Sequence, residues 1–221
     1  MRPLRAVLFD WDGTLADSAE ATYSCYVRLF GGYGISFDRE VFERTYSPEW
    51  HRTYRALGLA EADWPEADRR WVEAFHREPK TLIPGAERTL ARLASAGFAL
   101  GLVTSGSRGR VSRDLEALGL RSCFQAVVYS EDASRGKPHP EPLLRSLDLL
   151  GVSPSDAAYV GDSPEDVAMA RAAGSFAVAI PGGFPNREAL RASSPDFWAE
   201  TLEQATEALL ARGTGNPETN R

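Results

Sequence analysis

The sequence predicts an α/β protein with a doubly wound, Rossmann-like parallel sheet and a block of helices inserted after the first strand. From residue 84 onward, short apolar segments alternate with helical patterns, which is typical of a parallel sheet covered on both faces. An isolated apolar run, RAVLFD at 5–10, precedes residues 17–82, whose periodicity is helical throughout. We therefore predict an α/β core domain over 1–16 and 83–212, a helical insertion over 17–82 and a disordered tail over 213–221.

Length, composition and net charge limit the classes of protein to which this chain can belong. The chain has 221 residues, 43% of them apolar, enough for one large domain or a domain with a small insertion. Its net charge of -6 argues against nucleic acid as a partner. No window has the apolar length of a membrane span, and the first residues lack the pattern of a signal peptide. With only Cys25 and Cys123, which lie far apart in the sequence, we expect reduced thiols and a cytoplasmic protein, the alternative being a single disulfide. Oligomeric state is not readable from the sequence.

The insertion shows four stretches of helical spacing and no strand pattern. Its first helix ends at the Gly31-Gly32 pair, and Asp38 is a candidate N-cap for the second. Prolines at positions 48 and 65 are placed to open the third and fourth helices. Aromatic residues recur at helical spacing along each of these stretches.

The remainder of the chain alternates regularly. Helices are predicted over 85–96, around Val111 to Leu118, around Leu143 to Leu150, over 164–173 and over 202–211. Four of them end at a glycine, and the last begins with a Thr201/Gln204 capping box. Between them lie the apolar strands FALGLVT, AVVYS, AAYVG and FAVAI.

Polar side chains follow the predicted strands at the points where the strands end. Asp10 and Asp12 follow the first strand, and Thr104, Ser105 and Gly106 follow the second. The segments GKPHPEP and GDSPED, after the third and fourth strands, contribute the remaining candidates, Lys137, Asp162 and Asp166. Ligands of open parallel sheets bind beyond the carboxyl ends of the strands, so we expect these side chains to converge.

The convergent set is typical of magnesium-assisted phosphoryl transfer. Clustered carboxylates supply the hard oxygen ligands that Mg²⁺ prefers. The metal and a lysine neutralise charge on the phosphoryl oxygens, and a hydroxyl holds another oxygen. One carboxylate can attack phosphorus, while a second carboxylate two residues away moves the protons.

Each feature taken alone also has a structural interpretation. Asp10-x-Asp12-Gly occurs in ordinary turns, and Asp162 and Ser163 can simply cap the helix that begins at Pro164. Lys137 would usually be a solvated charge, but only two of the 25 basic residues are lysines, so a lysine at a strand end is less expected by chance. Only the combination of segments favours chemistry.

Together the residues resemble the haloacid dehalogenase superfamily of phosphohydrolases, and most closely its phosphoglycolate phosphatase and β-phosphoglucomutase branch. Four segments in the family's order and spacing give the resemblance, FDWDGTLADS, LVTSGS, GKPHPEP and VGDSPEDVAMARAAG. The second aspartate, Asp12, matches the phosphatase form, since members that cleave carbon–halogen bonds lack it. Trp11 is bulkier than the residue usual between the two aspartates.

The resemblance implies a role for each position. Asp10 is the nucleophile and a metal ligand, and Asp12 is the general acid/base with its backbone carbonyl on the metal. Lys137 steadies the phosphoryl group and the nucleophile. The remaining implied residues are a phosphate-binding hydroxyl at Thr104 or Ser105 beside Gly106, a metal ligand at Asp162 and a supporting acidic ligand at Asp166. The cofactor implied is Mg²⁺.

The helical insertion occupies the place of the family's cap, which closes over the site and selects the substrate. Arg44, Arg52 and Arg55 in it either meet a second anionic group of a substrate or form a solvated helix face.

The predicted function is hydrolysis of a small phosphorylated metabolite, similar to phosphoglycolate or a sugar phosphate, through an aspartyl-phosphate. A phosphomutase of the β-phosphoglucomutase type is the alternative within the class, because it uses the same segments. A receiver-like or non-catalytic phosphate-binding module fits less well. A receiver has about half this length and no helical insertion, and a degenerate module would lack one of the four groups.

Overall fold

A computed structural model describes residues 3–79 and 81–213 and shows a six-stranded sheet flanked by helices. All neighbouring strands run parallel. The strands are β1 (Ala6–Phe9), β2 (Ala99–Val103), β3 (Ala126–Val128), β4 (Ala157–Gly161), β5 (Phe176–Ala179) and β6 (Phe197–Trp198). The predicted doubly wound α/β class is confirmed.

The strand order is β3-β2-β1-β4-β5-β6. The chain builds outward from β1 to β3 on one side, then returns to place β4 against β1 and continues outward on the other side. This reversal leaves a crevice between the carboxyl ends of β1 and β4, where open α/β sheets bind ligands. Asp10 and Asp162 are the residues that follow these two strands.

Alternate residues of β1 point to opposite faces of the sheet, and each face has its own apolar cluster. Val7 and Phe9 pack in one cluster, and Ala6 and Leu8 pack in the other. The first face is covered by α5 (Ala86–Ser95), α6 (Arg108–Ala117) and α10 (Leu202–Arg212). The second face is covered by α7 (Glu141–Leu150), α8 (Pro164–Ala173) and α9 (Arg187–Ala192). Because both faces of the sheet are buried, the strands appear in the sequence as continuous apolar runs.

The inserted segment forms four helices around a separate, largely aromatic cluster. They are α1 (Ala19–Gly31), α2 (Arg39–Thr45), α3 (Trp50–Ala56) and α4 (Trp64–His76). The chain enters and leaves the insertion along adjacent paths, since Asp17 N–H donates to the Thr81 carbonyl at 3.0 Å and Ile83 N–H donates to the Leu15 carbonyl at 2.9 Å.

Most of the predicted helices and strands are present, and the differences lie in the last part of the chain, after β5. The helix predicted over 164–173 has those bounds as α8, and Gly174 ends it in the left-handed conformation. Neither β6 nor α9 was predicted, because two and six residues are too short to show a period.

The Thr201/Gln204 capping box is only half formed. Thr201 accepts from Gln204 N–H, but the Gln204 side chain accepts from Glu200 N–H instead.

The predicted disordered tail lies, apart from Gly213, outside the described residues. Within the described part of the chain, no helix is long and apolar enough to cross a membrane.

Two leucines on α7 provide a matched test of the core. Leu147 is 1% exposed within the cluster on the second face, whereas Leu149 is 69% exposed. We expect Leu147→Ala to lower the free energy of unfolding by about 2–5 kcal/mol, because it removes buried methyl groups and leaves a cavity. Leu149→Ala should stay within about 0.5 kcal/mol of the parent protein in urea unfolding. Equal effects would contradict the burial of this face.

Candidate active site

The predicted site residues meet at the carboxyl edge of the sheet. Asp10 follows β1, Thr104 follows β2 and Asp162 follows β4, while Lys137 lies in the loop between β3 and α7. Adjacent parallel strands bring these ends together although the residues span most of the sequence.

Lys137 is the one cation among the predicted residues, and two carboxylates share it. Its ammonium lies 2.6 Å from Asp10 Oδ1 and 2.7 Å from Asp166 Oδ1, and its side chain is only 7% exposed. Burial by itself would lower the pKa of Lys137, but Asp10 and Asp166 together hold that pKa above its usual range. The lysine therefore stays charged throughout the physiological range.

Three buried carboxylates form an acidic cluster beside this lysine. Asp10, Asp162 and Asp166 each offer an oxygen within 4.8 Å of the other two. Burial raises the pKa of Asp10 to about 7 although Lys137 opposes the shift. Burial, with Asp10 next, raises the pKa of Asp162 well above its usual value. Three carboxylates against one ammonium leave an uncompensated negative charge, which a divalent cation would neutralise.

Asp166 is held by its own helix as well as by the lysine. It is the third residue of α8, and its carboxylate accepts from the Ser163 N–H at 3.1 Å and from the Ser163 hydroxyl at 2.7 Å. The Ser163 hydroxyl accepts from Asp166 N–H in return, which completes a capping box. The structural interpretation of Ser163 as a helix cap is therefore correct, and the cap also orients a carboxylate of the cluster.

The backbone at position 13 lies so close to Asp162 that any side chain there would collide with the Asp162 carboxylate. Gly13 has a φ of +80°, and a Cβ built on it would lie 2.2 Å from Asp162 Oδ2. The Asn186 amide donates to the Asp162 carbonyl at 2.9 Å. The glycine after Asp12 is thus required for the close approach of the loop after β1 to the Asp162 side chain.

Asp12 does not join the cluster through its side chain. Its two carboxylate oxygens face the guanidinium of Arg110, with Nη1 3.1 Å from Oδ1 and Nη2 in contact with Oδ2. Arg110 is buried on α6, where its charge is also 3.6 Å from Asp114. Sequence analysis missed Arg110, because arginine occupies nearly every basic position. Its one available signal was the Arg110/Asp114 spacing of four on a buried helix.

The loop after β2 distinguishes the two candidate hydroxyls by exposure. Thr104 is 4% exposed, and its hydroxyl oxygen accepts from Gly106 N–H at 3.0 Å. Ser105 is exposed. A Cβ on Gly106 would lie 2.2 Å from Arg110 Nη2, so glycine here leaves the space that the guanidinium fills.

Residues 7–180 match the haloacid dehalogenase-like hydrolases, a range that includes every predicted site residue. The chain belongs to this family. The predicted resemblance, and with it the prediction of a hydrolase, is confirmed.

The relatives of this haloacid dehalogenase-like hydrolase include named phosphatases. It is 31% identical to pyrophosphatase PpaX of Bacillus velezensis over 89% of this chain and 92% of that protein. It is 30% identical to phosphoglycolate phosphatase of Salmonella typhimurium over 99% of this chain and 97% of that protein. The crystal structure of CbbY from Rhodobacter sphaeroides in complex with phosphate superposes with a TM-score of 0.79 at 26% identity, covering 94% and 99% of the two chains.

In this hydrolase one aromatic pair joins the inserted helices to the site. Tyr46, directly after α2, stacks on Phe184 of the loop after β5, with ring centroids 4.7 Å apart. Burial and then the charge of Asp162 raise the pKa of Tyr46 well above its usual value. The insertion therefore reaches the acidic cluster through this ring.

The three arginines considered as anion-binding residues are occupied by nearby carboxylates. Arg44 lies 3.6 Å from Glu40, Arg52 lies 2.7 Å from Glu49, and Arg55 lies 3.3 Å from Glu61, all with exposed side chains. This arrangement favours the solvated helix face. His51 pairs with Asp68 inside the insertion, with Nε2 2.9 Å from Oδ2.

Because Asp10, Asp162 and Asp166 are crowded together, we expect replacement of one carboxylate by an uncharged amide to stabilise the folded protein. The raised pKa of Asp162 means that folding disfavours its ionised form. This penalty is absent below the ordinary aspartate pKa and grows as pH rises toward the folded-state value. Without metal, Asp162→Asn should therefore raise Tm, by more at pH 8 than at pH 5, and each kcal/mol relieved corresponds to about 2–4 °C.

Thermal unfolding in the presence of a chelator measures this difference. Asp156→Asn, which changes an aspartate at the opposite end of β4, serves as the matched control and should leave Tm unchanged. A lower Tm for Asp162→Asn at both pH values would contradict the account of the cluster.

Proposed function

We propose that this hydrolase is a Mg²⁺-dependent phosphatase that cleaves a small phosphorylated metabolite through an aspartyl-phosphate intermediate. The observation that supports this most directly is the placement of Asp10 at the carboxyl end of β1, in contact with Lys137 and within a buried cluster of carboxylates. The names of the relatives support the same class of reaction.

In the first step a carboxylate oxygen of Asp10 attacks phosphorus. The bond from phosphorus to the ester oxygen breaks, and that oxygen keeps the electron pair and takes a proton from Asp12. In the second step water attacks phosphorus, its proton goes to Asp12, and the bond to Asp10 breaks. Inorganic phosphate leaves and both aspartates return to their starting states.

The acidic cluster fits a magnesium ion. The donors are hard carboxylate oxygens, they are buried, and their charge exceeds that of Lys137. Asp10 and Asp162 would hold the ion, together with the backbone carbonyl of Asp12. Asp166, already bound by Ser163 and Lys137, would support it from further out. When bound, Mg²⁺ neutralises charge on the phosphoryl oxygens.

Two further residues would hold the phosphoryl group. The Lys137 ammonium has three protons, so it can contact Asp10, Asp166 and one phosphoryl oxygen. The Thr104 hydroxyl uses its oxygen as an acceptor for Gly106 N–H, which leaves its proton to donate to phosphate. We therefore favour Thr104 over the exposed Ser105, with the Gly106 segment completing the loop.

Residues 17–82 would act as a cap over this site. They form their own apolar cluster, and Tyr46 already contacts the loop that carries Phe184. Exclusion of water by such a cap strengthens the electrostatic interactions of the reacting groups. The substrate would be small, of the phosphoglycolate or sugar-phosphate kind, since the related proteins include a phosphoglycolate phosphatase.

The proposed compartment is the cytoplasm. Cys25 and Cys123 are both free thiols, as expected for a reducing environment.

Substitution of the nucleophile is the first test. Asp10→Asn keeps the shape of the side chain but removes the attacking carboxylate, so we expect turnover to fall by a factor of at least about 10⁴. Phosphate release from a panel of phosphorylated metabolites with Mg²⁺ measures it, and a chelator should abolish the wild-type activity. Asp156→Asn, at the far end of the sheet, should retain activity. Substantial turnover by Asp10→Asn would rule out the nucleophile assignment.

The same panel separates a phosphatase from a phosphomutase. We expect release of inorganic phosphate that needs no bisphosphate primer. Formation of an isomeric sugar phosphate only when a bisphosphate is added would identify the mutase instead.

The two hydroxyls after β2 give a second test. Thr104→Val retains the shape of a buried side chain but cannot donate to phosphate, and we expect kcat/KM to fall about 10- to 100-fold. Ser105→Ala should change it by less than about threefold, since Ser105 is exposed. The reverse order in steady-state kinetics would assign the phosphate contact to Ser105.

A further inference from the structure

Arg110 is a buried cation for which the proposed chemistry has no direct use. It lies on the first turn of α6, and its side chain is 6% exposed. A guanidinium cannot lose its proton in a protein, so burial requires that carboxylates or other acceptors surround it. The identity of those acceptors therefore indicates what the residue does.

Three groups enclose Arg110. The two oxygens of Asp12 meet its two terminal nitrogens, which is the bidentate arrangement that fixes the plane of a carboxylate. Asp114, one turn along α6, lies 3.6 Å away, and the ring of Phe75 lies with its centroid 5.0 Å from the guanidinium carbon. Phe75 belongs to α4 of the insertion, so the arginine connects Asp12 to the helices above the sheet.

The two members of the pair differ in exposure. The Asp12 side chain remains 28% exposed while that of Arg110 is nearly inaccessible. Asp12 and Phe75 also line one cleft together with Asp114 and Ser18. A carboxylate that is oriented by a buried guanidinium and is still partly exposed can exchange a proton with a bound molecule without losing its orientation.

We propose that Arg110 is a positioning residue that fixes the carboxylate of Asp12 for proton transfer, and that Phe75 of the insertion holds the guanidinium in place. This rests on the proposed function, in which Asp12 serves the leaving oxygen and then water. Proton transfer in a transition state requires a donor at hydrogen-bond distance and correctly aligned, so a loosely held Asp12 would slow it.

Leaving-group dependence separates this role from a merely structural one. A good leaving group such as p-nitrophenolate departs with little help from an acid, whereas a poor one needs a proton. Arg110→Lys keeps the positive charge but loses the two terminal nitrogens that bind both oxygens of Asp12. We therefore expect kcat/KM for phenyl phosphate to fall at least about 10-fold. For p-nitrophenyl phosphate we expect a fall of less than about threefold, so the dependence on leaving-group pKa should steepen across a series of substituted phenyl phosphates.

Arg113→Lys is the matched control, since Arg113 is an exposed arginine on the same helix, and it should follow the wild type throughout the series. In a background of Asp12→Asn, Arg110→Lys should have no further effect, because the residue through which it acts is already removed. If circular dichroism shows that Arg110→Lys does not fold, Phe75→Leu loosens the guanidinium without removing it and should produce the same steepening.

Several results would overturn the proposal. An equal loss across the phosphate series, no loss or an increase in turnover would each show that Arg110 does not position the proton donor. The proposed function is judged separately. Wild-type turnover that Asp10→Asn abolishes supports the phosphatase whatever Arg110 does, and an inactive wild type with every phosphate ester refutes the phosphatase first.

Discussion

The ammonium of Lys137 between Asp10 and Asp166 is the interaction on which the rest of the site depends. Two carboxylates and one ammonium are buried together at the end of the sheet, where neither charge has much access to water. An isolated buried carboxylate would take up a proton, and burial already raises the pKa of Asp10 to about 7. The lysine opposes this shift and favours the ionised form that the proposed nucleophilic attack by Asp10 requires.

The surrounding fold serves to hold this unfavourable set of charges in place. Helix α8 presents Asp166 through its capping box with Ser163, and the Tyr159 hydroxyl lies 3.3 Å from the same carboxylate while donating to the Val103 carbonyl at 2.8 Å. Gly13 lets the turn after β1 pass directly against Asp162. The remaining negative charge, which lowers the stability of the fold, is the charge that the proposed magnesium ion would neutralise.

A second ion pair, between Asp12 and Arg110 of the core, is in contact with the insertion. Asp12 turns away from the acidic cluster and toward Arg110, and Arg110 packs against Phe75 of α4. On the other side of the site, Tyr46 of the insertion stacks on Phe184 of the core. The helices of the insertion therefore reach the site at two points. Phe75 contacts Arg110 beside Asp12, and Tyr46 stacks on Phe184 near Asp162.

The sequence alone determined the parallel sheet, the position of the inserted helices and the residues at the strand ends, because period and motif spacing are local properties. It predicted α8 to the residue, since Ser163 and Gly174 mark its two ends. It missed β6 and α9, which are too short to show a period. Only the tertiary structure decided that Thr104 is buried while Ser105 is exposed, and that Arg110 faces Asp12. Those facts depend on packing between segments that are far apart in the sequence. Asp12 and Arg110, for example, are 98 residues apart, and no local sequence pattern encodes such a contact.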